Sequence, residues 1–253
     1  MNTGIDAFSP WYLPEGEWKR RGATRAMIQI LCGHPCEPDR DDPETDQDGN
    51  NLWHYACSGE NPETAIRNLL GKANDPQRLN RHGEQPVHRL FLSGNMDGIN
   101  QWRTAFPETA CHGEPETLLH CAAWSGNASA VETALQIMDP AKIDRRNGRG
   151  LTALQIALHR CGEPTCMAIL RAGADPEIQD NNGNNALHHA AMSGHIDLCM
   201  AMEDMVGDTR VRNASGKHAR QLMLADPEKR TADGFCPEDR HQWRRLWAER
   251  LRF

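Results

Sequence analysis

Short apolar stretches recur along the chain at a near-constant interval, each opened by a polar turn that usually carries glycine. The blocks Asn51-Leu52-Trp53-His54, Gln85-Pro86-Val87-His88, Thr117-Leu118-Leu119-His120, Thr152-Ala153-Leu154-Gln155 and Asn185-Ala186-Leu187-His188 align, with fourth residues at 54, 88, 120, 155 and 188. The steps are 34, 32, 35 and 33 residues, and a weaker copy, His218-Ala219-Arg220-Gln221, falls 33 further on. Gly49, Gly83, Gly150, Gly183 and Gly216 each stand five residues before the fourth position, and Gly94, Gly126 and Gly194 six after it. Glycine at such offsets permits the positive φ of a tight turn. The apolar stretch after each turn, such as residues 187–192, predicts a first helix. Ala190 and Ala191 give it a small-residue face for close approach. A second helix is predicted over residues 63–70, 128–137 and 165–171 in their respective copies, with Gly173 as a C-terminal stop. Each pair of short helices is too small to bury its own apolar face, so neighbours must stack into an all-α solenoid.

The best copies are Gly183-Asn184-Asn185-Ala186-Leu187-His188-His189-Ala190-Ala191-Met192-Ser193-Gly194-His195 and Gly173-Ala174-Asp175-Pro176. They resemble the ankyrin repeat, with its period of about 33 and its T-P-L-H-x-A signature. The resemblance covers residues 46–226. The Thr-Pro pair is never intact: Thr stands at 117 and 152, Pro at 86. Repeat 1 is one residue short before Gly59, repeat 3 has Pro115 where the turn glycine belongs, and Gln replaces His at 155 and 221. The expected organisation is an N-terminal segment with a capping helix and an acidic loop (1–45), the solenoid (46–226) and a C-terminal capping helix (227–253). The first cap is predicted over residues 17–32 with Trp18, Ile28 and Leu31 inward. The last shows an apolar stripe at Trp243, Leu246, Trp247 and Leu251 opposite Arg240, Arg244 and Arg245.

Charge and composition narrow the function. The net charge is −7, yet residues 240–253 hold five Arg and one Glu, or +4, which leaves −11 for the rest. Residues 37–48 hold seven acids and one Arg. Such a body repels phosphates, so no nucleic-acid partner is expected. Only the Arg-rich C-terminal helix could dock an anionic partner or a membrane surface. No apolar run is long enough to span a membrane. The first residues lack a Sec-type signal pattern, and nine scattered cysteines read as reduced thiols. A cytoplasmic monomer is therefore expected, with secretion by a non-Sec route left open.

Several residues imitate chemistry. Cys111-His112 with His120-Cys121, and Cys32-Gly33-His34-Pro35-Cys36, are loose metal candidates without a strong zinc spacing. Residues 44–49 imitate the start of a calcium loop, but Tyr55 occupies the twelfth position, where a Glu is needed. No phosphate-cradling loop or nucleophile elbow occurs. No metal, cofactor or catalytic residue is assigned; an enzyme site hidden in the irregular ends is the competing reading. The resemblance implies that His54, His88, His120 and His188 make structural hydrogen bonds within and between repeats.

The resemblance also implies another protein as partner, bound at the turn tips and on the concave side of the first helices. Four residues after the repeated position stand Ser58, Leu92, Trp124, His159 and Met192. Leu92, Trp124 and Met192 are large apolar side chains in a row that solvent alone would not select, and Trp is enriched in interface hot spots. Trp11 and Tyr12 could instead cover this row from within the chain. The turn tips are expected to present Arg81, His82 and Glu84, Glu114 and Glu116, Arg149 and Leu151, and Asn181, Asn182 and Asn184. The function expected is a non-enzymatic interaction module: an adaptor, an inhibitor, or an effector or immunity-type protein.

Overall fold

The structure is a computed structural model that describes residues 22–34, 44–72, 75–107, 117–160, 163–203 and 205–225. It is an all-α stack. Helix α1 is Arg25–Leu31, and five helix pairs follow. They are α2 Leu52–Ser58 with α3 Pro62–Leu69, α4 Pro86–Ser93 with α5 Met96–Ala105, and α6 Leu118–Ser125 with α7 Ala128–Ile137. The series continues with α8 Ala153–Arg160 and α9 Glu163–Arg171, then α10 Ala186–Ser193 and α11 Ile196–Glu203. Helix α12, Ala219–Ala225, opens the sixth copy.

The first helices (α2, α4, α6, α8, α10, α12) pack on one another in sequence and form one layer. The second helices form the other, less closely packed layer, and α1 extends the first layer by packing on α2. Ala122, Ala123, Ala157, Ala190 and Ala191 are fully buried where first helices meet. Their small side chains let the backbones approach. Leu119, Leu154, Leu158, Ile169 and Leu198 fill the space between layers. In the first two repeats that space is aromatic. Trp53 meets Trp102 edge-on at 5.8 Å and Phe106 at 5.3 Å between ring centroids.

The repeated His explains why the first helices start where they do. Asn51, Thr117 and Asn185 are N-caps whose side-chain oxygens accept the backbone N–H of His54, His120 and His188. Each imidazole answers through Nδ1, accepting the N-cap N–H at 3.2, 3.2 and 3.3 Å. This is a reciprocal capping box with His in the usual Glu position. Because Nδ1 accepts, Nε2 carries the proton. It donates to a carbonyl of the next repeat: Glu84, Leu151 and Lys217, each at 3.1 Å. Gln155 makes the same bridge with an amide, since its Oε1 accepts Thr152 N–H at 3.0 Å and its Nε2 donates to Asn184 O at 3.3 Å, with a shorter bond of 2.7 Å to Ile178 O.

Two expectations change. In α1 the buried residues are Ala26, Met27 and Ile30, while Ile28 and Leu31 are only half-buried. The helix begins at the Thr24 cap, and the stripe Ala26, Met27 and Ile30 is the one it buries. The missing residue of repeat 1 also has a reason. A Cβ on Gly59 would sit 3.0 Å from the carbonyls of Ile30 and Leu31, so the shortened α2 ends on a glycine that lets the end of α1 approach. Trp18, Cys111, His112, Pro115 and the whole Arg-rich C-terminal stripe lie outside the described residues.

Candidate partner-binding surface

A polar column that the sequence reading passed over builds the turn tips. Asp46, Asn80, Asn147, Asp180 and Asn213 each stand eight residues before the repeated position. In each, one side-chain oxygen accepts the backbone N–H groups two and four residues on. For Asp180 these are Asn182 and Asn184, both at 2.8 Å; for Asn80, His82 at 2.9 Å and Glu84 at 3.0 Å. Such Asx turns fix the tip without help from a strand. Tips are then tied to one another. Arg81 N–H donates to Asp48 O, and Ala214 N–H to Asn182 O, each at 2.8 Å.

The column also selects its partners on the first helices. Nine residues after Asp46 is Tyr55, whose hydroxyl donates to Asp46 Oδ2 at 2.8 Å. The residue that disqualified a calcium loop therefore occupies the carboxylate that a metal would have needed. Nine after Asp180 is His189, whose Nε2 lies 3.1 Å from Asp180 Oδ2. Burial and the carboxylate of Asp46 both push the Tyr55 hydroxyl well above its usual range. Nine after Asn80, where the column is neutral, stands Arg89. Its buried guanidinium donates to Asn50 Oδ1 at 2.7 Å and Ser58 Oγ at 3.1 Å, and Glu84 Oε2 is 3.8 Å away. Burial lowers its pKa to about 10, so it remains a cation.

The expected tip residues divide. Arg81, His82, Arg149, Asn181 and Asn182 are exposed. Asn181 accepts Arg146 Nη2 at 2.7 Å and donates to Arg149 O at 3.0 Å, so its amide is shared between neighbouring tips. Glu84 is half-buried beside Asn80 and Arg89. Leu151 is half-buried against the core. Asn184 corrects the expectation. Its N–H closes the Asx turn, its amide is buried against Asp180 and Asn213, and it has no surface to offer a partner. Glu114 and Glu116 lie outside the described residues.

The row on the first helices is mixed in character. Ser58 is held by His54 O and Arg89. Leu92 and Trp124 are half-buried and pack against the core, and Met192 is half-buried. The Arg160 guanidinium stands 4.4 Å from the Trp124 ring centroid, a cation–π pair on the exposed side of α6 and α8. His159 is exposed and linked onward. Its Nε2 lies 2.6 Å from His189 Nδ1, and its Nδ1 lies 2.9 Å from Ser193 Oγ. Trp124 meets Arg160, and His159 meets His189 and Ser193; Trp11 and Tyr12 lie outside the described residues. Among those residues no three His, Cys, Asp or Glu side chains are placed to hold a metal ion. His120 and Cys121, the inner half of one zinc candidate, are both buried.

Residues 119–202 match the family model of ankyrin repeats in three copies. The chain belongs to the ankyrin-repeat family. Its relatives include the E3 ubiquitin-protein ligase KEG of Arabidopsis thaliana, 33% identical over 184 residues, covering 68% of this chain and 11% of that protein. A transient receptor potential channel subfamily A member 1 homolog of Caenorhabditis elegans is 29% identical over 126 residues, 49% of this chain and 10% of that protein. Human NF-kappa-B inhibitor epsilon is 26% identical over 165 residues, 65% of this chain and 31% of that protein. The chain thus spans about a tenth of the length of the first two relatives. The similarity lies in the ankyrin stack. Among the described residues no helix is long and apolar enough to cross a membrane.

Proposed function

We propose that the ankyrin stack is a non-enzymatic interaction module that holds a partner protein against its first-helix face and turn tips. The observation that carries this is the position of Trp124. Its indole is half-buried under an arginine, in a row with Leu92, His159 and Met192, on the face to which the tips are also joined. A large aromatic under an exposed cation fits an interface centre with a polar rim. The tip-to-tip hydrogen bonds hold the surface before a partner arrives, so association loses little ordering entropy. Adaptor, inhibitor and effector forms share this step and differ in the partner. The relatives named as an inhibitor of NF-kappa-B and as a ubiquitin ligase fit the same reading through their repeats. The described cysteines are free thiols, in keeping with a reducing compartment.

Partner capture by variant chains tests the reading. Trp124→Ala and Met192→Glu should each weaken capture of the native-source partner by at least about tenfold, or ~1.4 kcal/mol. Glu132→Arg, on the exposed side of α7, should leave it unchanged. Trp124→Ala also removes half-buried packing, so its melting temperature should fall slightly, while Met192→Glu keeps the melt near that of the parent chain. Full capture by both face variants would overturn the proposal.

A further inference from the structure

The turn tips differ in charge along the stack. The fourth tip exposes Arg146 and Arg149, and the sixth exposes Arg212 and Lys217. Between them the fifth tip exposes only neutral side chains, Gln179, Asn181 and Asn182. Along the sequence these cations are diluted by Asp144, Asp175, Glu177 and Asp208, but the fold separates the two signs. Asp144 accepts Asp175 N–H at 2.9 Å, Asp175 accepts Glu177 N–H at 2.8 Å, and Asp208 accepts Arg210 N–H at 2.7 Å. Glu177 accepts Gly207 N–H, just after α11. These carboxylates are thus engaged at the hairpin bases, beside the ends of the second helices. Asp180, the acid of the fifth tip, is buried and taken by Asn182, Asn184 and His189. Among the described residues no carboxylate pairs with any of the four tip cations.

Two of the cations are held in place. Arg146 and Arg212 share one register, a single residue before the Asx residue of their tips. Arg146 Nε donates to Gly150 O at 2.8 Å, and Arg212 Nη1 donates to Gly216 O at 2.7 Å. Arg146 Nη2 also donates to Asn181 Oδ1 at 2.7 Å, which fixes it against the next tip. Neither guanidinium uses all its donors in these bonds. A planar fork already held by its own turn loses little rotamer entropy when it pairs with a ligand. Arg149 and Lys217 bond to the fold through backbone atoms, which leaves their side chains to follow bound charge.

Resting on the reading that the turn tips belong to the partner-binding surface, we infer that the tips of repeats 4–6 dock an acidic segment of the partner protein, extended across them with carboxylates at both ends and a neutral middle. Stacked helices stand about 10 Å apart, so the fourth and sixth tips are roughly 20 Å apart. An extended segment covers that span in about six residues. Acidic side chains at one end meet Arg146 and Arg149, and those at the other end meet Arg212 and Lys217. Guanidinium groups take carboxylates as charge-assisted, two-pronged pairs. The exposed amides of Gln179 and Asn182 face the uncharged middle.

The spacing selects a protein segment over a nucleic acid. A nucleic-acid strand carries a phosphate at every step of roughly 3.4 Å, so some would stand over the neutral fifth tip and its buried Asp180 carboxylate. Continued along the ridge, such a strand would meet Glu84 in the second tip and then Asp48 and Glu44 at the first. The chain as a whole carries −7, which opposes a long polyanion but acts weakly on a short segment with its charges placed at the two basic tips.

The test is fluorescence anisotropy of two rhodamine-labelled peptides with blocked ends, titrated with the full chain at low salt. The spaced peptide is Gly-Glu-Glu-Ser-Gly-Thr-Asn-Glu-Glu-Gly. The clustered peptide, Gly-Ser-Gly-Glu-Glu-Glu-Glu-Thr-Asn-Gly, has the same composition and charge. The parent chain should bind the spaced peptide at least about fivefold more tightly than the clustered one, and more weakly as salt is added. Arg149→Glu with Lys217→Glu should weaken the spaced peptide at least about tenfold while melting like the parent. Lys72→Glu with Arg171→Glu makes the same change in net charge beside the second helices and should leave binding within about twofold of the parent. No binding of the spaced peptide, equal affinity for both peptides, or equal weakening in the two double variants would overturn the inference. Tighter binding of a single-stranded oligothymidylate of equal length would overturn the preference for a protein segment. Partner capture that survives Arg149→Glu with Lys217→Glu but fails in Trp124→Ala and Met192→Glu refutes the basic tips alone. Capture that survives Trp124→Ala and Met192→Glu refutes the face itself.

Discussion

At the scale of single residues, the repeated histidines are hydrogen-bond bridges with one natural control. Gln155 spans the same gap as His54, His120 and His188, from its own N-cap to the next repeat. His120→Gln should therefore fold and melt within about 1 kcal/mol of the parent, because both hydrogen bonds are kept. His120→Ala leaves Thr117 N–H without its acceptor in a half-buried place and Leu151 O with only its bond from Asn147 N–H, and should cost about 1–3 kcal/mol in thermal unfolding. The pair also differs with pH. Burial lowers His120 and His188, and takes His54 to about 3 with Arg89 adding to the effect. The unfolded chain binds these protons near 6.5 and the folded chain does not, so stability is complete above that value and falls as the pH drops below it. His120→Gln should lose less stability than the parent between about pH 7 and pH 5. An identical loss in both chains would count against the buried neutral imidazole.

At the scale of elements, the turn is the unit most exposed to a single change. Gly183 has φ +73, and a Cβ there would sit 2.9 Å from Ala214 N, where the fifth and sixth tips join. Gly183→Ala should cost about 1–2 kcal/mol from the left-handed backbone alone, and more from the contact. Proteolysis or amide exchange should show the loss concentrated near residues 211–225; a parent-like melt would contradict the contact. The glycine offsets and the helix pairs were legible in the sequence because period and apolar spacing encode them directly. Helix α7 begins and ends where the spacing predicts, and α9 begins two residues before the predicted start. The Asx column was equally periodic and was missed, since Asp46 and Asp48 read as charge and Asn80 and Asn147 as turn polarity. Asn184 illustrates the cost. Its number places it on a tip, but its side chain answers Asp180, a preference that only the column reveals. The meeting of His159 with His189 joins neighbouring repeats and depends on how far each helix is rotated, which no linear pattern states.

At the scale of the whole molecule, the chain is two layers of unequal closeness. Small residues hold the first helices together, and the turn tips extend that layer through backbone hydrogen bonds. The large apolar groups that are exposed among the described residues, Leu70 at the end of α3, Leu79 before the second turn tip, Ile137 at the end of α7 and Met205 after α11, are scattered along the chain. Trp124, Arg160, His159 and Met192 instead concentrate aromatic, cationic and thioether groups on the first-helix face of repeats 3–5. That contrast is the central claim, and hydroxyl-radical footprinting of the captured complex tests it most directly. Trp124 and Met192 should be oxidised several-fold less with the partner bound, while Met205 and Leu70 are oxidised as in the free chain. Protection of Met205 and Leu70 with no change at Trp124 and Met192 would contradict the account.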